Sequence, residues 1–548
     1  MKNLLILIFS FISFSLQATD YYIATIANGG DNSKTGLAGQ PWATLSYACE
    51  NAITSGDIIH VNAGTFIETT QSVLAVGVSI VGVGATSIIK SQIATTEYTS
   101  TILIQSTPQG TAGNQSISYI KMDGDALTAS VGIEIINRSN VKIFNCQLVD
   151  FKYSGIKVGN GTILPTTFAT GNEIYNCNIT NCSGYYTNGR GAIQFGGQDG
   201  LKIYGNTLSQ NTRGYQLDGY LIKYNGGGYS KGVKIYNNII DKAPYDGTWC
   251  FAIELTKNLG GLEIYNNTIS GAIDGDYDTK GDYDYCLYLH NNIIGKPVRS
   301  NLLEIGLDLE NKISDVIVRY NHFYNLSEGI RISTGQYSDD VINNLYVQYN
   351  IFDNIGILST SYQSKGIYFT SGDALGIIQN LFIDNNIFAA YAANSGGRVG
   401  ILLPNDKNVS NLYIRNNVFE NWDRAFLNAN GTYGATTDHL YVQNNILYQN
   451  GQSNNPYWES SYTVTNLTST NNVKSDPLFV SSSDFHLQSG SPAKDAGINI
   501  GLIKDFDNYA VPYNGIPDIG AYEFGSASFL LTKDVGRFVK HNGKLVKQ

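Results

Sequence analysis

One four-residue phrase recurs along this chain at near-constant spacing. It reads Ile143-Phe-Asn-Cys146, Ile174-Tyr-Asn-Cys177, Ile203-Tyr-Gly-Asn206, Ile235-Tyr-Asn-Asn238 and Ile264-Tyr-Asn-Asn267. It continues as Val318-Arg-Tyr-Asn321, Val347-Gln-Tyr-Asn350, Ile383-Asp-Asn-Asn386, Ile414-Arg-Asn-Asn417, Val442-Gln-Asn-Asn445 and Ser469-Thr-Asn-Asn472, with a looser early copy at Ile120-Lys-Met-Asp123. By subtraction of the first residue numbers, most neighbouring copies begin 27 to 32 residues apart. A fixed period of this size is the mark of a solenoid, because each unit can bury its apolar face only against its neighbours.

Within the phrase, apolar and polar residues alternate, so it is a short strand with one face inside. A polar turn and another apolar residue follow, as at Ile179, Leu208, Ile269 and Phe388. Most periods then hold a second strand: Gly155-Ile-Lys-Val158, Ala192-Ile-Gln-Phe195, Ala252-Ile-Glu-Leu255, Gly329-Ile-Arg-Ile332 and Gly366-Ile-Tyr-Phe369. The chain runs the same way in every coil, so equivalent strands stack as parallel sheets about 4.8 Å apart. The expected fold is all-β, a parallel β-helix, of about 14 coils and near 65 Å in length at that spacing.

The Asn that closes each phrase then forms a column, each buried amide donating to one neighbour and accepting from the other. Cys146 and Cys177 stand in this column. Either two small thiols replace Asn there, or the pair forms an inter-coil disulfide, since the stacking distance lies within the usual Cα range. Asn292 fits the column locally but also fits the end of a second-type strand over 286–289, and it is left unassigned.

Few charges (15%) with 58 Gly and 38 Tyr fit a β-rich chain. A formal net charge of -10 argues against a nucleic-acid partner, which needs a basic face. Lys2, an apolar run over 4–16 and Ala18 before Thr19 read as a secretory signal over residues 1–18, too short to span a membrane as a mature helix. No later stretch is long and apolar enough to span, so a secreted or cell-surface protein is expected. Six cysteines (Cys49, Cys146, Cys177, Cys182, Cys250 and Cys286) permit disulfides, and none is spaced as a zinc site.

With these motifs, the chain resembles the pectin-lyase-like parallel β-helix superfamily over roughly residues 58–473. The resemblance implies a right-handed helix and leaves function open, because that superfamily includes lyases, hydrolases, esterases, epimerases and non-enzymatic adhesins. Pro41-Trp-Ala-Thr-Leu-Ser-Tyr, Gly56-Asp-Ile-Ile-His-Val61 and Ala63-Gly-Thr-Phe66 are similar to the N-terminal segment of many secreted bacterial β-helix proteins. Residues 41–53 carry a helical face, expected to cap the open end. Asp476-Pro-Leu-Phe479, Asp484-Phe-His-Leu487 and Asp518-Ile-Gly-Ala-Tyr-Glu-Phe524 resemble a terminal module common after such helices, in which His486 and Asp518 are expected to be structural. The expected division is 19–85 cap and first coils, 86–473 repeats, 474–524 a small C-terminal cap and 525–548 a basic tail. In the tail, Asn542-Gly543 between apolar runs signals a hairpin, and a surface-attachment role is the alternative.

Coils this long leave loops beside the strands, and on a solenoid such loops line a groove. Aromatic residues that could face it are Tyr153, Tyr185, Tyr186, Tyr215, Tyr229, Tyr245, Trp249, Tyr277, Tyr283, Tyr285 and Tyr362. Sugar rings stack on aromatic side chains and their hydroxyls pair with Asn and Asp, so an extended polysaccharide is the expected ligand. Aligning the second strands gives an outward column of Lys157, Gln194, Gln216, Glu254, Tyr288, Arg331 and Tyr368. Lys157, Glu254 and Arg331 are its candidate catalytic groups, and Tyr245, Trp249, Tyr288 and Tyr368 the candidate substrate contacts. Asp274, Asp276, Asp278, Asp282 and Asp284 form the densest acidic segment, a candidate Ca2+ site or a solvated loop. In calcium-dependent lyases of the resembled superfamily such a site bridges enzyme and uronate. Polygalacturonase-like motifs are missing apart from Gly329-Ile-Arg-Ile-Ser333. The leading expectation is therefore a polysaccharide-binding protein, with a lyase preferred to a hydrolase if it is an enzyme. A non-catalytic adhesion or structural protein is the rival. A phage tailspike is a third architecture of this kind, and the leader argues against it.

Overall fold

The computed structural model describes residues 17–93, 99–159, 166–183, 190–210, 220–224, 228–242, 251–295, 305–333, 341–356, 364–370, 377–390, 397–403, 408–428, 436–450, 463–525, 538–541 and 544–547. Each coil places three strands on three faces. The phrase makes the first face: Lys202–Tyr204, Lys234–Tyr236, Leu262–Tyr265 and Leu287–His290 pair in parallel, with Ile203, Ile235, Ile264 and Leu289 in one register. The residue before the closing position then turns the chain in the left-handed region, as at Asn176 (φ 53) before Cys177, and at Asn237 (φ 56) and Asn266 (φ 55) before Asn238 and Asn267. Asn tolerates that conformation better than most residues with a Cβ, which explains the Asn pair that ends many of the phrases, although Tyr320 (φ 57) and Tyr349 (φ 54) take it as well.

Among the described residues the second face is a sheet of 14 short parallel strands, including Asn178–Thr180, Thr207–Gln210, Ile239–Lys242 and Thr268–Ser270. The third face carries the second-type strands, including Ser154–Val158, Gly191–Phe195, Tyr220–Tyr224, Phe251–Glu254 and Ala272–Tyr277. Strand Ile305–Arg319 runs over the third and first faces in one 15-residue element.

The Asn column is continuous. Asn206, Asn238, Asn267, Asn292, Asn321, Asn350, Asn386, Asn417, Asn445 and Asn472 are joined Nδ2 to Oδ1 at 2.8–3.1 Å. Each Oδ1 also accepts the backbone N–H of the preceding column member, so two buried donors are satisfied by one oxygen. Asn292 thus belongs to the column. Cys146 and Cys177 extend it as free, buried thiols, and the Cys177 N–H still donates to Asn206 Oδ1 at 2.9 Å. Cys250 lies outside the described residues.

Inside, aliphatic side chains stack on themselves, and in the later coils Phe323, Phe352, Phe388 and Phe419 form a ring stack at 4.5–4.9 Å. Each ring lies against a glycine at the second position of a third-face strand: a Cβ on Gly329 would stand 2.4 Å from Phe352 Cδ1, and one on Gly366 2.8 Å from Phe388 Cδ1.

Helix Leu45–Asn51 covers the N-terminal end with Leu45, Ala48 and Cys49 turned inward. Thr44 caps it, and the buried Glu68 carboxylate accepts the Leu45 and Ser46 N–H groups at 2.7 and 3.2 Å. At the other end the module after residue 474 packs on the flank of the last coils. Phe485, Leu487, Ala493, Ile519 and Tyr522 cover the outward second-face residues Ile351, Ile387, Val418 and Ile446. Asp518 accepts the Asp495 and Phe524 N–H groups at 2.6 and 2.5 Å, and His486 sits between Asp484 (2.5 Å) and Asp507 (2.9 Å), which are loop-holding roles. In the tail, Phe538–His541 pairs antiparallel with Lys544–Lys547, and the expected turn at Asn542-Gly543 lies outside the described residues. Among the described residues no helix is long and apolar enough to cross a membrane. Of the secretory signal expected over 1–18, residues 1–16 lie outside them.

Candidate functional site

Register on the third face defines one outward column. It runs Glu134, Lys157, Gln194, Lys223, Glu254, Asp274, Asp308, Arg331, Tyr368, one residue per coil. Five members of the sequence-based column stand in it: Lys157, Gln194, Glu254, Arg331 and Tyr368. Tyr288 does not. It lies on the first face opposite Glu263 and Ile317, because Leu287–His290 is a phrase strand. Gln216, Tyr245 and Trp249 lie outside the described residues, as do Tyr185, Tyr186, Tyr215 and Tyr362. Tyr277 is fully buried in the core rather than facing a groove.

The three candidate catalytic groups share the column but not a site. Lys157 and Arg331 are six coils apart, about 29 Å at 4.8 Å per coil. Lys157 is paired with Glu134 at 2.8 Å, and Arg331 Nε donates to Glu328 at 2.8 Å.

Three coils in the middle of the column concentrate carboxyl groups. Glu254, Asp274 and Asp308 succeed one another, and Asp276 and Glu310 stand two residues further along the same strands. Lys223 flanks this cluster by bonding Glu254, its ammonium also lying 4.1 and 4.6 Å from the Tyr220 and Tyr224 ring centroids. Arg331 flanks the other side, followed by Tyr368 with the Lys365 ammonium 4.0 Å from its ring.

The environment separates these acids. Burial, reinforced by Glu310, Asp308, Glu254 and Asp276, pushes the Asp274 carboxyl up to about 9. Its Oδ1 is buried without a hydrogen-bond partner. Burial also raises Asp308, but Arg331 and the Ser333 hydroxyl (3.0 Å) hold it to about 6. Glu310 is raised to about 7 by burial and by Asp308 and Asp276. Burial lowers the Lys223 ammonium against the opposing pull of Glu254. One protonated carboxyl therefore lies on the rung beside an ionised one, the arrangement that general acid–base chemistry requires.

The five-aspartate segment divides. Asp274 and Asp276 alternate on the outer face of strand Ala272–Tyr277, whereas Asp278, Asp282 and Asp284 are exposed in the turn that follows. The strand's own pleat separates them, since Tyr277 plugs into the core and ends the run. Among the described residues no three or more His, Cys, Asp or Glu side chains are arranged to hold a metal ion.

Sequence reasoning missed Asp308, Glu310 and Lys223. The signal was available: Gly306-Leu-Asp-Leu309 and Leu221-Ile-Lys-Tyr224 repeat the small-or-apolar, apolar, polar, apolar pattern of Ala252-Ile-Glu-Leu255.

On the first face, Phe144, Tyr175, Tyr204, Tyr236, Tyr265 and His290 stack at 4.9, 4.9, 4.9, 4.8 and 5.0 Å. The ring faces are covered by one another, which leaves only edges for a ligand.

The family described as right-handed beta helix region matches residues 76–294, and the one described as disaggregatase related matches 313–499. No curated protein matches the chain. Similar solved structures include the tailspike protein of E. coli bacteriophage HK620 in complex with a pentasaccharide (11% identity, 78% of this chain and 75% of that one, TM-score 0.48). Others are bacteriophage phi29 gene product 12 (14% identity, 78% and 54%, TM-score 0.39) and an alginate lyase from Paenibacillus sp. (13% identity, 69% and 99%, TM-score 0.31). The three-faced parallel coil and the family match together make this chain a right-handed parallel β-helix.

Proposed function

We propose that the chain is an extracellular protein that binds a polysaccharide along its third face and hydrolyses it at the Asp274 and Asp308 rungs. The observation that carries this reading is the pairing of a buried carboxyl raised to about 9, with an unpartnered oxygen, against a neighbour at about 6. Hydrolysis of a glycosidic bond needs one carboxyl to protonate the leaving oxygen and a second, ionised, to act as base or nucleophile. Asp274 takes the first role. Asp308 takes the second, its negative charge favoured by Arg331 and Ser333. Tyr220, Tyr224 and Tyr368 supply aromatic surface at either side of the acids. The apolar leader over 4–16 and the poverty of charge support an extracellular setting, where such polymers are met.

A second reading, β-elimination on a uronate glycan, is favoured by one observation: Arg331 stands on the rung next to Asp308 and could neutralise a carboxylate.

The test is a polysaccharide panel incubated with the purified chain and its Asp274→Asn variant, with and without Ca2+. Reducing ends and unsaturated-uronide absorbance are read together. New reducing ends without absorbance, lost in the variant, are expected. Absorbance would replace hydrolysis with elimination. No product from any polymer would leave binding as the activity.

A further inference from the structure

The atoms around the acid column are unequally satisfied. Four donor atoms here have protein acceptors: Lys223 bonds Glu254, Arg331 Nε bonds Glu328 at 2.8 Å, Ser333 Oγ bonds Asp308 at 3.0 Å, and Asn311 Nδ2 bonds Asp276 at 2.9 Å. The two buried atoms left without a partner here are both side-chain oxygens, Asn311 Oδ1, which only accepts, and Asp274 Oδ1, of the carboxyl raised to about 9. Asp274 is only 6% exposed. Charge points the same way. Glu254, Asp274, Asp276, Asp308 and Glu310 crowd three rungs, and the flanking cations are each answered by a carboxylate of the protein, Lys223 by Glu254, Arg331 and Lys365 by Glu328. A uronate at these rungs would bring another anion to a place already crowded with carboxyl groups. A protonated amine is the reverse, three donors, no acceptor and a positive charge.

We propose that the sugar held at these rungs carries a protonated amine, so that the glycan taken by this protein contains amino sugars with free amino groups and not uronates at the point of cleavage. This rests on the reading of the third face as the glycan site. The amine lies against Asp276, Glu310 and Asn311 Oδ1, leaving Asp274 and Asp308 to face the glycosidic bond. Its positive charge also brings the Asp274 carboxyl down from about 9 toward neutrality, where a proton donor is most effective.

The test is calorimetric binding to the Asp274→Asn chain, which holds glycan without turnover. The probes are β-1,4 glucosamine and α-1,4 galactosamine hexamers, their N-acetylated counterparts and a galacturonate hexamer, at a pH where the amine is charged. At least one amine-bearing hexamer should bind tenfold or more tightly than its N-acetylated form. That advantage should shrink several-fold with added salt and with Glu310→Gln. Equal or tighter binding of the acetylated or uronate hexamers, or no binding of either amine-bearing one, overturns the proposal. The hydrolase reading is judged separately on the wild-type chain. Reducing ends released from a neutral or uronate glycan would keep hydrolysis and reject the amine. Amine-selective binding without release of ends at any pH would keep the amine and reject hydrolysis.

Discussion

Asp274 and Asp308 are register partners on adjacent rungs, the same residue type in the same column, yet one carboxyl is pushed to about 9 and the other to about 6. The difference lies in their partners. Asp308 accepts the Ser333 hydroxyl and faces Arg331, whereas Asp274 has an unpaired oxygen and four carboxyl neighbours. Between those two values the pair holds one proton, and it sits on Asp274.

The pH profile of cleavage should follow. At substrate concentrations well below KM, where the free protein's groups are read, activity rises as Asp308 ionises near 6 and falls as Asp274 loses its proton near 9, giving a bell between them. Initial rates of reducing-end release across that range check it. A profile still rising above pH 10 would take the proton donor away from Asp274.

Substitutions along the column should divide sharply. Asp274→Asn and Asp308→Asn should each lower kcat by about 100-fold or more, the usual scale for losing a positioned acid or base. Lys157→Ala, four coils or about 19 Å from Asp274, should leave kcat within about twofold, since chemistry at that distance is out of reach. A large loss there would restore Lys157 to the site.

Stability should fall with pH on account of Asp274. Its folded value lies above the ordinary carboxylate value of 3.8, so the folded chain holds a proton that the unfolded chain releases. The stabilisation is complete below the unfolded value and drains away as pH rises toward about 9. Asp274→Asn removes the titration. The variant should gain on the wild type between pH 5 and pH 8 by up to about 4 kcal/mol, three pH units at about 1.4 each. Denaturant midpoints of both proteins at the two pH values measure this.

The glycine–phenylalanine contact predicts a further loss. Gly366→Ala would place a Cβ 2.5 Å from the Gly400 carbonyl oxygen and 2.8 Å from Phe388, so a rung must shift. A cost of about 1–3 kcal/mol is expected, the scale of overpacking. Denaturant titration at pH 7 reads it.

Much of this fold was legible because it is written in repetition. The phrase placed the first face, and its closing Asn placed the column through Asn206 and Asn472. Asn292 stayed ambiguous because phrases and second-type strands share one alternation, and only pairing with Leu262–Tyr265 separates them. Tyr288 was misplaced for the same reason. Lys157, Glu254, Arg331 and Tyr368 were placed in their column by motif alone. Asp308 and Glu310 were not, because the strand holding them runs on without a turn into the next phrase and so lacks the usual punctuation. The raised carboxyls were illegible in principle. They arise from residues over 30 positions apart, Asp274 and Asp308, brought together by coil stacking.

The final rung has a consequence beyond the site. Its strand Thr468–Thr470 carries Ser469 and Thr470 exposed, and its Asn466, Thr468 and Asn472 are hydroxyl or amide residues, where earlier coils offer Tyr or Arg. A parallel coil ending in an apolar rung would be a template onto which another molecule could add head to tail without limit. The strand that ends this one presents hydroxyl groups, which keep their water and lower the gain from such an addition, with Leu467 and Val473 exposed beside it.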